Sequence, residues 1–145
     1  MAMTPTAPAS SRPAQAPADL FVILAAAPFG DESVSTAVRC IRAVLDRGGR
    51  VIVWTCGFAN WLTQEGHPSV KPTNALARDQ DYPSTQSIVL RMIDEKEDRL
   101  EWYACRFCSD ERNLLRHAPA AHVRLAMRLV ATSRRARTVI SVGLT

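Results

Sequence analysis

Apolar residues along this chain come in two patterns, and the two alternate. Leu20-Phe-Val-Ile-Leu-Ala-Ala-Ala27 is an unbroken apolar run, as expected of a parallel strand buried on both faces. From Val34 the spacing changes to a helical one. Val34, Ala37, Val38, Ile41, Val44 and Leu45 share one face, Asp31 or Ser33 is placed to cap the start, and Gly48-Gly49 stops the helix near Arg47. Cys40 lies on the flank of that face and reads as a small core or near-core residue. Arg50 to Cys56 is again nearly continuous in apolar character, a second strand. Strand, helix, strand over this length is a right-handed parallel unit.

The second half repeats the alternation. Gly66 to Pro83 is rich in proline and glycine and reads as a long surface loop. Ser84 caps a helix with Ile88, Val89, Met92 and Ile93 facing inward, and charged Glu95 to Arg99 closes it. Leu100 to Ala104 is a third strand with Cys105 at its end. A short helix is expected over Ser109–Arg116. A longer one is expected from Pro119 to about Ser133, with Val123, Ala126, Leu129, Val130 and His122 on its apolar face. Thr138 to Val142 is the last strand. The reading is a three-layer α/β domain with a mostly parallel sheet of four to five strands over residues 20–145. It is preceded by an Ala/Pro/Ser/Thr-rich tail, residues 1–19, that cannot bury a core.

Composition changes this picture little. A hydrophobic fraction of 47% suffices for a core, and a net charge of +4 permits acidic partners without demanding them. The run after Asp19 resembles a secretory h-region, but an acidic residue directly precedes it and the segment before is not basic. The strand reading and a cytoplasmic location are therefore preferred. No apolar stretch approaches the ~20 residues of a membrane span. There is no Gly-rich phosphate loop, no Gly-x-Ser-x-Gly and no Ser-His-Asp set, so nucleotide-dependent and serine-hydrolase chemistry are not indicated, and no cofactor is expected.

The chemistry then falls to cysteine. Of Cys40, Cys56, Cys105 and Cys108, Cys105 has the most telling address, at the end of a strand and the start of a helix. A helix N-terminus lowers a thiol's pKa, and the thiolate is the nucleophile. Arg106 and Arg112 would favour the thiolate or steer an anionic partner, while Asp110 and Glu111 would oppose them. Three chemistries fit Cys105 and Cys108: a persulfide carrier, a C-x-x-C redox pair, or a metal site completed by His117 and His122. The spacing is wrong for a zinc finger and the thioredoxin Trp-Cys-Gly-Pro surroundings are missing, so no metal is expected; two inert buried thiols are the bland alternative. In a parallel sheet, sites collect at the C-terminal strand ends. That places the loops Pro28-Phe29-Gly30 and Gly57-Phe-Ala-Asn60 on the same edge as Cys105, as walls.

Three segments together resemble the DsrE/DsrF-like sulfur-relay family, and within it the TusD-type branch. They are Phe21-Val-Ile-Leu-Ala-Ala-Ala-Pro-Phe-Gly30, Gly57-Phe-Ala-Asn60, and Cys105 with Arg112 seven residues on. The resemblance spans Leu20 to Val142. It implies a flavodoxin-like, DsrEFH-like sheet, with Cys105 as the persulfide-bearing residue. It also implies assembly into homo- or hetero-oligomers, trimers or hexamers, that exchange sulfur with donor and acceptor proteins, touching nucleic acid only indirectly. The sulfur could go to tRNA thiolation, sulfur oxidation or a small metabolite. A non-catalytic assembly subunit and a small-molecule binding module are the alternatives. Two departures stand out: Asn113 stands where the family has glycine after the arginine, and Cys108 is extra. Cys108 could resolve a persulfide on Cys105 into a disulfide, or be the working thiol itself.

Overall fold

The computed structural model of the protein describes residues 16–66, 75–77, 79 and 82–143. Most of the expected tail, and most of the Gly66–Pro83 loop, lie outside the described residues. The elements are β1 (Ala18–Leu24), α1 (Glu32–Asp46), β2 (Val51–Thr55), a 3-10 helix (Gly57–Thr63), α2 (Thr85–Glu95), β3 (Leu100–Cys105), α3 (Arg106–Glu111), β4 (Ala121–Arg124), a 3-10 turn (Ala126–Arg128), α4 (Leu129–Ser133) and β5 (Ala136–Val142). The strands form one sheet in the order β4-β3-β2-β1-β5, with every neighbouring pair parallel. This is the α/β architecture with a parallel sheet that the alternating pattern predicts.

The two long helices form where their caps and apolar stripes place them. Asp31 accepts a hydrogen bond from the Ser33 amide at 2.7 Å and so satisfies one of the free donors at the start of α1. Ser84 does the same for the Ser87 amide at α2. Val34, Ala37, Val38, Ile41 and Leu45 of α1, and Val89, Met92 and Ile93 of α2, are buried. They pack on the sheet face carrying Leu20, Val22, Leu24, Val51, Val53, Leu100 and Trp102. Cys40 is exposed, not near-core: its position on the flank of α1 turns the side chain to solvent.

Strand alternation sends the other set of side chains to the second face, where Phe21, Ile52, Trp54, Tyr103 and Cys105 form a separate buried cluster. Cover on this side is thin. Leu129 of α4 packs against it, while Val130 stays exposed.

Two expected elements differ. The helix expected over Ser109–Arg116 begins at once after β3, as α3, and ends at Glu111 with Arg112 as its C-cap. Asn113 then takes a left-handed conformation, φ 54°, which asparagine tolerates better than most residues and which a glycine would take freely. The helix expected from Pro119 to Ser133 is instead β4, a 3-10 turn and the five-residue α4. Ala121–Arg124 pairs in parallel with β3, from Trp102↔Ala121 to Cys105↔Arg124. The edge of β3 would otherwise leave its backbone donors and acceptors open, and satisfying them outweighs a helical apolar period. His122 and Val123 are consequently strand residues and exposed, not packed on a helix face. At the opposite edge, β5 pairs with β1 from Ala18↔Ala136 to Leu24↔Val142. No helix among the described residues is long and apolar enough to cross a membrane.

Candidate functional site: three thiols at the strand ends

Register and parity bring the cysteines together. Thr55 of β2 lies beside Ala104 of β3, so the next residues, Cys56 and Cys105, follow side by side. Both continue the face of Trp54 and Tyr103. Cys105 is also the N-cap of α3, and the first turn of that helix returns Cys108 to the same place. The Sγ atoms of Cys56, Cys105 and Cys108 all lie within 4.8 Å of one another, and all three are free. Cys105 is 2% exposed, while Cys56 and Cys108 are half-buried. Cys56 is the site residue that sequence reasoning missed. Its alternation with Trp54 was visible, but the β2–β3 register that sets it beside Cys105 was not.

Burial governs the acidity of these thiols. It pushes Cys56 up to about 12, with the neighbouring Cys105 and Cys108 adding to the shift. It raises Cys105 as well; the Cys108 backbone amide pulls the other way without making a capping hydrogen bond. The thiolate-favouring effect expected of the helix start is thus outweighed by desolvation at Cys105. The expected arginines sit apart from its sulfur. Arg106 pairs with Asp110 at 3.2 Å on the exposed side of α3. Arg112 pairs with Glu111 at 2.6 Å, lies 5.0 Å over the Phe58 ring, and reaches the Cys108 carbonyl at 3.5 Å.

A buried polar network holds the turn that carries Cys105. The Asn60 side-chain amide donates to the Cys105 carbonyl at 3.0 Å and to the Ser109 hydroxyl at 2.8 Å. Ser109 donates to the same carbonyl at 2.9 Å. That hydroxyl's proton is then spent, so His117 Nε2, 2.9 Å from it, is the donor of that pair. His117 Nδ1 accepts from Thr63 Oγ1 at 2.9 Å. The neutral Nε2–H tautomer is the one this network requires. Burial lowers the pKa of His117 below 6.5, with the Leu114 backbone partly opposing. Because the unfolded chain binds this proton more readily, the stabilisation is fully present above pH 6.5 and is lost as pH falls through the depressed folded value. Urea unfolding at about pH 8 and about pH 5 should show that loss, and His117→Gln should reduce it. An equal loss in the variant would assign it to other groups.

The expected walls divide. Pro28, Phe29 and Gly30 join Ala27, Phe58 and Trp61 in an apolar cleft of about 210 Å³. Phe29 meets Trp61 edge to face, with ring centroids 6.4 Å apart. Gly57 does not line it; with φ +58° it makes the turn out of β2, which a side chain would strain. Asn60 is not a wall but an internal strut beneath Cys105, and it shares the 3-10 helix with Phe58 and Trp61.

No protein-family model and no curated protein matches this sequence. Among solved structures the chain is similar to the ychN protein from E. coli. The two are 16% identical, the match covers 86% of this chain and 98% of that one, and the TM-score is 0.68. At that identity the likeness bears on architecture, and the five-stranded parallel α/β sheet described above is a DsrE-like fold.

Proposed function

We propose that this chain is a sulfur carrier that relays sulfane sulfur through Cys105, as the TusD-type resemblance implies. The observation that carries the reading is the group of three free thiols at the C-terminal edge of a parallel sheet, two of them partly open to solvent. Cys108, the half-buried member on α3, is placed to meet a donor first. Its thiolate attacks the outer sulfur of a donor persulfide, forming Cys108–S–SH and releasing the donor thiolate. Cys105, within 4.8 Å, takes the same sulfur by a second exchange and shields it from solvent. Transfer to an acceptor thiol repeats the exchange outward. Attack of Cys108 on the inner sulfur of a Cys105 persulfide would instead expel hydrosulfide and leave a Cys105–Cys108 disulfide. Arg106, paired with Asp110 yet more than half exposed, could also meet an acidic partner protein. Exposed Val123, Leu125, Met127 and Val130, beside the β4 edge, support assembly into an oligomer.

The test is intact-mass analysis after exposure to polysulfide. The reduced chain should gain about 32 Da, one sulfur atom, which peptide mapping places on Cys105, and in Cys105→Ser the sulfur should stop at Cys108. A wild-type adduct that maps to other cysteines and never to Cys105 would remove Cys105 from the relay. The burial of Cys105 favours one second reading, an assembly subunit without chemistry. That reading expects no adduct on Cys56, Cys105 or Cys108 of the native chain and no native-state labelling of Cys105 by a bulky maleimide.

A further inference from the structure

The geometry points to a soft-metal site in the same cluster: Cys56, Cys105 and Cys108 form a three-coordinate thiolate site for a d10 ion, Cu(I). This inference does not rest on sulfur transfer, since it needs only the three sulfurs and their spacing. Two come from adjacent strand ends in register and one from the first turn of α3, so the set is assembled by the fold from separate elements. All three Sγ atoms lie within 4.8 Å of one another, close enough for one ion to draw them in with small side-chain rotations.

The donor set selects the ion. Thiolates favour Cu(I) and zinc over hard cations. Structural zinc almost always takes four ligands, and no histidine or carboxylate among the described residues joins this group. His117 is not free to supply the fourth ligand, because both ring nitrogens are engaged, by Thr63 and by Ser109. Cu(I) is satisfied by three sulfurs. Binding is a proton exchange without electron transfer: Cu(I) plus three Cys–SH gives the tris-thiolate complex and three protons.

The experiment is an anaerobic titration of the reduced full-length chain with Cu(I) against a chromophoric Cu(I) chelator, followed by copper X-ray absorption. One copper per chain with three sulfur neighbours is expected. Cys56→Ser and Cys108→Ser should each weaken binding by at least about a hundredfold, more than losing a mere supporting residue does. Cys40→Ser should leave it unchanged, because Cys40 is exposed on α1, outside the cluster. The two site variants guard against one failing to fold, which circular dichroism would reveal. Unchanged affinity in a folded Cys56→Ser or Cys108→Ser chain, loss of copper in Cys40→Ser, or no binding against the chelator would overturn the site. So would tighter binding of Zn(II) than of Cu(I).

Discussion

Asn60→Ala should cost about 3 kcal/mol of folding stability and loosen the turn that carries Cys105. The side-chain amide of Asn60 is fully buried and donates twice, to the Cys105 carbonyl and to the Ser109 hydroxyl. Truncation removes both bonds where no water replaces them and leaves a small void, and a buried acceptor stripped of its donor loses about 1–3 kcal/mol. The carbonyl of Cys105 keeps the bond from the Ser109 hydroxyl but loses its tie to the 3-10 helix, so the β3–α3 junction is less firmly anchored. Two measurements check this. Urea unfolding should give the loss in stability, and maleimide labelling under native conditions should show Cys105 becoming reactive. Asn60→Asp should be at least as damaging near neutral pH, because it presents carboxylate oxygens to a carbonyl oxygen. It should partly recover at low pH, where the protonated acid can donate. A change below about 1 kcal/mol in Asn60→Ala would mean that Asn60 is not a strut.

Gly143→Ala is the second large effect, at the other end of the sheet edge. Gly143 follows β5 directly, with φ +76°. A methyl group there would lie 2.5 Å from the backbone nitrogen of Ala26 and equally close to its side chain. The backbone nitrogen and the methyl fixed directly to that backbone cannot yield as the far end of a flexible side chain would. Left-handed strain adds about 1–3 kcal/mol, so the combined loss should reach about 3 kcal/mol or more. For a domain of this size that is on the order of 10 °C in melting temperature. Gly30→Ala is the matched control. No atom lies within 4 Å of a methyl built there and its φ is not positive, so its melting temperature should move little. Equal behaviour of the two variants would show that the close approach at Ala26 relaxes freely.

Local pattern was enough wherever one element's own residues set its state. The α1 and α2 helices carry their caps, Asp31 and Ser84, and their apolar stripes in consecutive sequence, and both form as the spacing predicts. The same holds for the apolar runs of β1, β2 and β3, and for the position of Cys105 at a strand end. Ala121–Arg124 shows the limit. Its neighbourhood has a helical period, yet the open edge of β3 captures it as a strand. That competition is decided by a partner about twenty residues away in sequence, at Trp102 to Cys105.

The candidate site divides along the same line. By itself the sequence determined that this is a parallel α/β domain with a cysteine, Cys105, at a strand's C-terminal end and Cys108 one helical turn on. Only the tertiary structure decided that Cys56 joins them, because side-by-side placement depends on the β2–β3 register. It also decided that Asn60 works beneath the site instead of lining it, and that Arg106 and Arg112 pair with Asp110 and Glu111 instead of with a thiolate. The acidity of Cys105 was settled there too. A helix start favours the thiolate, but burial among Trp54, Tyr103 and Phe21 disfavours any charge, and burial is a property of the whole sheet.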